Sequence, residues 1–354
     1  LKFRIAISLF FLIAGSALLL DACKKNNSTN DPAIGYHPTY LKFTIPAGWP
    51  QPPTDIYKNN PLTEEGFQLG RKLFYDGRLS KDGNFPCASC HLQFAAFATY
   101  DHQFSHGFNN ALSVRNAPPI FNLAWMKEMH WDGGINHIEV QPLAPITNII
   151  EMAETIENVV HKLSIDSAYK RMFAAAFGDS TINSQRMLKA ISQFMGSIQS
   201  FNSKYDQVKR GETNFTIAEE NGYATYKSQC SSCHREPLFT DNSFRNNGLT
   251  LDPFLKDIGR MRITGSPADS LKFKVPSLRN IELTFPYMHD GRKFSISQVI
   301  EHYRTGIVIN QPTLDPLLKS RLAITNQEKV DLVEFLRTLT DNVYTKDKRF
   351  AQPQ

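Results

Sequence analysis

The chain has 354 residues, 41% of them hydrophobic and 21% charged, which excludes a wholly disordered chain, a collagen-like fibre and a polytopic membrane protein. Its formal charge of +5 is mild and no basic block accompanies it, which argues against nucleic acid as a partner. At roughly 100–200 residues per domain, the length suits two domains. Residues 1–22 read as an export signal, with Lys2 and Arg4 ahead of an apolar run, Ile5 to Leu20, that is short for a spanning helix of roughly 20 residues. Leu20-Asp21-Ala22-Cys23 is similar to a lipoprotein cleavage box, although Asp21 departs from the usual pattern. That reading makes Cys23 a lipidated first residue and leaves the folded part in the periplasm, touching membrane only through the lipid. An uncleaved N-terminal anchor is the alternative.

Residues 23–60, rich in Asn, Pro and Thr, read as a tether followed by an extended segment. Thr63-Glu64-Glu65 then opens a helical stretch carrying Phe67, Leu69, Leu73 and Phe74. Apolar residues at three- and four-residue spacing predict amphipathic helices over Thr155–Leu163, Ser167–Phe177 and Ser184–Phe201. The polar, turn-like stretch 209–214 marks a boundary between a first domain, 61–212, and a second, 213–345. The stretch from Phe215 to Tyr226 echoes the first helix, because Gly70 and Phe74 match Gly222 and Tyr226 in spacing. Thr325 and Glu328 fit a capping box ahead of a helix bearing Val330, Leu332, Val333, Leu336 and Leu339. Strand signals are few and short, so the fold class is mainly α.

Four of the five cysteines stand in two copies of one pattern, Cys87-Ala-Ser-Cys90-His91 and Cys230-Ser-Ser-Cys233-His234. Each copy offers two thiols for thioether bonds to haem vinyl groups and an adjacent His for the iron. A redox Cys-x-x-Cys pair and a zinc site of four thiols are the alternatives. The trailing His in both copies and the export signal weigh against them. Two covalent c-type haems follow, one in each domain.

Two haems alone would serve an electron relay, whereas chemistry needs one iron with an open face beside acid and base groups. Behind the first motif come Arg115-Asn116-Ala117-Pro118, Trp131-Asp132-Gly133, Gln141-Pro142-Leu143 and Glu151-Met152, with Trp131, Gln141 and Glu151 ten residues apart. The second half carries Phe273-Lys274-Val275-Pro276-Ser277-Leu278-Arg279-Asn280 and Phe285-Pro286-Tyr287-Met288-His289-Asp290-Gly291. From about Leu62 to Leu339 the chain resembles the bacterial dihaem cytochrome c peroxidases and their MauG-type relatives. The resemblance implies two cytochrome c-like domains. The haem at Cys87, Cys90 and His91 is then the peroxidatic one, and the haem at Cys230, Cys233 and His234 the electron-transfer one. It further implies that Glu151 and Gln141 stand over the open face of the first iron and that Trp131 conducts electrons between the haems. A carboxylate there can shuttle a proton between the two oxygens of hydrogen peroxide, while an amide stabilises developing charge.

The resemblance also implies a second His on the resting first iron, for which His106 is favoured over His102. At the second iron the best-known peroxidases carry a Met fourteen residues after the His of the His-Asp-Gly motif. Here that position is Tyr303, as in MauG-type proteins, with Met288 the nearby thioether. A phenolate ligand stabilises ferric iron and lowers its potential. The family's calcium, held between the domains by oxygen ligands, maps onto Asn116, Thr284 and Pro286. The implied function is reduction of hydrogen peroxide with electrons from a small cytochrome c or copper protein. A MauG-like oxidase of protein side chains and a non-enzymatic electron carrier are the alternatives. Members of this family are often homodimers.

Overall fold

The computed structural model describes residues 35–354, and the export signal, Cys23 and the start of the tether lie outside them. Among the described residues no helix is long and apolar enough to cross a membrane. The chain is mainly helical. Helix α1 (Glu64–Phe74) begins at Thr63, whose hydroxyl accepts the Gly66 N–H, and buries Phe67, Leu69, Gly70, Leu73 and Phe74. The short α2 (Leu143–Thr147) is followed by α3 (Ile156–Ser164), α4 (Ser167–Phe177) and α5 (Ser184–Ser197). A brief α6 (Lys204–Lys209) leads past Gly211, whose φ of +76° makes the turn, into α7 (Ile217–Gln229). Then come α8 (Met261–Thr264), α9 (Ile296–Glu301) and α10 (Asn326–Arg337). Strands β1 (Phe244–Arg245) and β2 (Phe273–Lys274) pair antiparallel, with Phe244 opposite Lys274. Thr216 and Thr325 both close capping boxes, with Glu219 and Glu328 respectively.

One predicted helix is shorter than its pattern. The α5 helix stops at Ser197 instead of Phe201, because residues 198–200 leave it to bond Asn122. The Asn122 N–H donates to the Ile198 carbonyl, and its side chain bridges both backbone groups of Ser200. Such a long-range bracket outweighs the helical spacing that continues to Phe201.

Two hydrophobic cores repeat one construction. In the first, α1 crosses α5 at Gly70, where a Cβ would lie 1.9 Å from the Ala190 carbonyl oxygen and 3.0 Å from Phe194 Cβ. In the second, α7 crosses α10 at Gly222, where a Cβ would lie 2.0 Å from the Asp331 carbonyl oxygen and 2.8 Å from Phe335 Cβ. One turn later the aromatic partners repeat as well, with Phe74 and Phe194 ring centroids 5.0 Å apart and Tyr226 and Phe335 5.1 Å apart. The spacing shared by Gly70/Phe74 and Gly222/Tyr226 is thus the footprint of two equivalent helix crossings. Tyr205 of α6 packs in the second core, and Tyr344 and Phe350 of the C-terminal tail return to the first.

Candidate active site

Both Cys-x-x-Cys-His segments fold as tight turns that aim the histidine. The His91 N–H bonds the Cys87 carbonyl at 3.0 Å, and the His234 N–H bonds the Cys230 carbonyl at 3.0 Å. Left-handed residues then turn a backbone carbonyl back onto each ring. Phe97 (φ +56°) places its oxygen 2.9 Å from His91 Nδ1, and Phe239 (φ +55°) places its oxygen 3.2 Å from His234 Nδ1. The Pro276 carbonyl adds a second acceptor at 3.1 Å from His234 Nδ1. A carbonyl fixes the proton on Nδ1 and leaves Nε2 as the ligating atom, the usual arrangement for a metal-bound imidazole. Burial pushes His91 down to about 4, so this ring is neutral at pH 7. Burial also pushes the Cys87 and Cys230 thiols up to about 12, which makes them poor redox nucleophiles. Among the described residues no three His, Cys, Asp or Glu side chains come together to hold a metal, so the four thiols do not build one zinc site.

The first motif opens onto a pocket in the first core. Cys87, Cys90, His91, His106, Gln141 and Glu151 all line it, and Phe74, Ile120, Ile191 and Met195 supply apolar wall. Two paired thiols, one imidazole with a free Nε2 and a largely apolar enclosure are the donor set that a covalently held haem requires. Glu151 is placed by its own turn, in which Asn148 Nδ2 donates to Oε1 at 2.7 Å and the Glu151 N–H bonds the Asn148 carbonyl. Burial raises the Glu151 carboxyl above its ordinary value, against the opposing Asn148 hydrogen bond. The loop after His106 is clasped to this turn. Its Phe108 N–H donates to the Glu151 carbonyl at 2.7 Å, and Gly107 leaves no room for a Cβ against residues 150–151.

His106 stands at the cavity wall with Nδ1 2.6 Å from Asn110 Oδ1. Of the two histidine candidates it is the one that lines the cavity, whereas His102 pairs with Asp101. Trp131 is not part of that wall. Its indole N–H donates to the Asn116 carbonyl at 2.9 Å, and its own carbonyl accepts the Lys274 N–H of β2 at 2.7 Å. It therefore ties the first-core loop to the second half of the chain.

Around the second motif, Tyr303 sits in a single π-helical turn, His302–Gly306, the kind of local widening that often re-aims a functional side chain. Burial raises the Tyr303 phenol, Asn247 opposes the rise by hydrogen bonding, and the nearby thiols of Cys230 and Cys233 add to it. Asn247 also donates to the Met288 sulfur at 3.6 Å, so both candidate ligands share one neighbour. Asn116 is buried where the 102–103 carbonyls meet the 284–289 segment. Its amide donates to Gln103 at 3.2 Å and its N–H to the His289 carbonyl at 2.8 Å. Thr284 and Pro286 lie on that same segment, which is held to the loop by the Tyr100 and Phe285 rings at 4.9 Å.

Sequence reasoning missed His130, whose Nε2 is 3.3 Å from Gln141 Nε2, and Asn148, which holds Glu151. Proximity in sequence was the available signal for both, since one precedes Trp131 and the other lies three residues before Glu151.

Comparison with known proteins adds the family. The sequence profile of the di-haem cytochrome c peroxidases matches residues 64–214. The methylamine utilization protein MauG of Methylophilus methylotrophus is 33% identical over 315 residues, spanning 85% of this chain and 89% of the relative. The chain belongs to the dihaem cytochrome c peroxidase and MauG family. Another relative, the cytochrome c551 peroxidase of Nitrosomonas europaea, is 33% identical over 82% of this chain and 84% of its own length. Among solved structures, a MauG-like protein associated with microbial copper homeostasis superposes with a TM-score of 0.80 at 36% identity. It covers 88% of this chain and 99% of its own.

Proposed function

We propose that the protein is a peroxidase that reduces hydrogen peroxide to two waters, using two electrons and two protons. The observation that carries this reading is the convergence of Cys87, Cys90, His91, Gln141 and Glu151 on one cavity. Haem bound at each Cys-x-x-Cys-His motif, in two cytochrome c-like domains, supplies the iron redox chemistry. Cys87 and Cys90 anchor the macrocycle, and His91, oriented by the Phe97 carbonyl, ligates through Nε2. Glu151 takes a proton from one peroxide oxygen and returns it to the other. Burial raises its affinity for protons, which suits a group that takes one up and gives it back. Gln141 orients the substrate and stabilises the charge that develops on the departing oxygen. Apolar walls exclude bulk water, and His106, on the wall of the same pocket, would be the second histidine available to the iron.

Cys230, Cys233 and His234 would hold the second haem, with Tyr303 as the candidate further ligand. The nearness of Tyr303 to the Cys230 and Cys233 thiols supports that assignment. Trp131, bonded to both halves of the chain, carries electrons from the second haem to the first. A small exported cytochrome c or copper protein supplies them in the periplasm, and Cys23 carries the lipid anchor. Asn116, with the carbonyls of Thr284 and Pro286, is the proposed calcium site at the seam. A MauG-like oxidation of a protein side chain is the second reading, favoured by Tyr303 and by the identity to MauG.

The test is haem stoichiometry together with peroxide turnover in the presence of reduced cytochrome c. Two haems per chain and steady consumption support the reading. Fewer than two haems, or two haems with no consumption, overturns it.

A further inference from the structure

We propose that His130 is a positioning residue that sets which end of the Gln141 amide faces the cavity. The inference rests on the reading of that cavity as the peroxide site. His130 Nε2 and Gln141 Nε2 are 3.3 Å apart, and two nitrogens at that distance bond only if one of them is the donor. An unprotonated Nε2 accepts from the amide nitrogen, which turns the amide oxygen toward the cavity. An imidazole that carries a proton on Nε2 requires the amide to be reversed, because it must donate to the amide oxygen. The NH₂ group then faces the cavity, where a donor is needed as negative charge grows on the departing oxygen. The imidazole therefore chooses between an acceptor and a donor at the place where the chemistry asks for a donor.

The loop that carries His130 is built to hold it. His130 has φ +65°, a conformation uncommon outside glycine that persists only where the surroundings impose it. Lys274 Nζ grips the Glu128 carbonyl at 2.7 Å, the Lys274 N–H grips Trp131, and Arg260 grips the Asp132 carbonyl at 2.9 Å. The charged and titratable groups that face the ring are Asp132 from its own loop, Lys274 from β2, Arg115 from the preceding segment and His91 from the first motif. Burial is the largest influence and disfavours a charge on His130, as do Lys274 and Arg115, while Asp132 favours it. Of these groups only Lys274 comes from the second half of the chain, so its influence depends on how β2 meets the loop.

The test compares His130→Phe, His130→Gln, Gln141→Ala and the His130→Phe/Gln141→Ala double variant, all as haem-loaded protein. His130→Phe is expected to lower kcat/KM for peroxide about tenfold, the scale typical of lost support for a site residue. His130→Gln, which still has a donor, recovers most of the loss. The double variant is no slower than Gln141→Ala alone, because the imidazole acts only through the amide. In the reduced holoprotein, the ¹⁵N resonance of His130 Nε2 shifts on Gln141→Ala. Multiplying losses in the double variant, or an unmoved Nε2 resonance, overturns the proposal. The resonance needs no turnover. A shifted signal in a protein that reduces no peroxide therefore keeps the His130–Gln141 pair and rejects only the peroxidase reading.

Discussion

Replacing Gly70 by Ala tests the helix crossing on which the first core is built. In a free helix, the change would stabilise by about 1 kcal/mol, the propensity difference between the two residues. Here the new methyl would sit 1.9 Å from the Ala190 carbonyl oxygen and 2.6 Å from its carbon, about 1.5 Å inside ordinary contact. Both atoms are backbone, so no rotamer change relieves the clash and α1 must move away from α5. Overpacking of this kind costs roughly 1–3 kcal/mol, with the unyielding backbone placing it at or above the upper end. The net expectation is a loss of about 2 kcal/mol, or roughly 4–8 °C in Tm. Gly222→Ala, at 2.0 Å from the Asp331 carbonyl oxygen, should lose as much from the second core. Denaturant titration of each holoprotein gives the values. A gain of about 1 kcal/mol in either variant would refute the close crossing and leave only helix propensity at work.

Three further outcomes are expected. Arg279 is fully buried and pairs with Asp206 through two 2.8 Å bonds, so Arg279→Met should cost about 3–5 kcal/mol in denaturant titration. Burial alone would raise the Asp206 carboxyl, but Arg279 holds it below 3.8. The pair therefore stabilises above that pH and fails as pH falls through the lowered value, a dependence the variant should lose. Burial holds Glu151 above its ordinary 4.5, so kcat/KM for peroxide should fall with decreasing pH along a limb lying above that value, because the protonated carboxyl takes no proton. Tyr303→Phe should raise the midpoint potential of the second haem by on the order of 0.1 V in a redox titration.

The parts of this structure legible in the sequence are those specified by near neighbours. Thr63, Thr216 and Thr325 cap helices through residues three positions on, and each Cys-x-x-Cys-His turn closes on itself. The end of α5 was not legible, because Asn122, far away in sequence, captures Ile198 and Ser200. The tail after Leu339 shows no periodic pattern, yet Tyr344 stacks on Phe97, and Gln93 bonds the Tyr344 and Asp347 carbonyls. At the site, Gln141 and Glu151 were found through family resemblance, since neither a lone amide nor a carboxylate near a helix announces catalysis. No local rule pairs His130 with Gln141, eleven residues on, because their contact depends on a loop gripped by Lys274 and Arg260.

The most direct measurement is steady-state reduction of hydrogen peroxide by the dihaem-loaded protein and its Glu151→Gln variant, with reduced cytochrome c as donor. An amide in place of the carboxyl keeps the shape of the cavity and removes the proton carrier. Turnover should fall by about 10²–10⁴-fold with both haems retained. A variant that keeps its full rate would contradict the account.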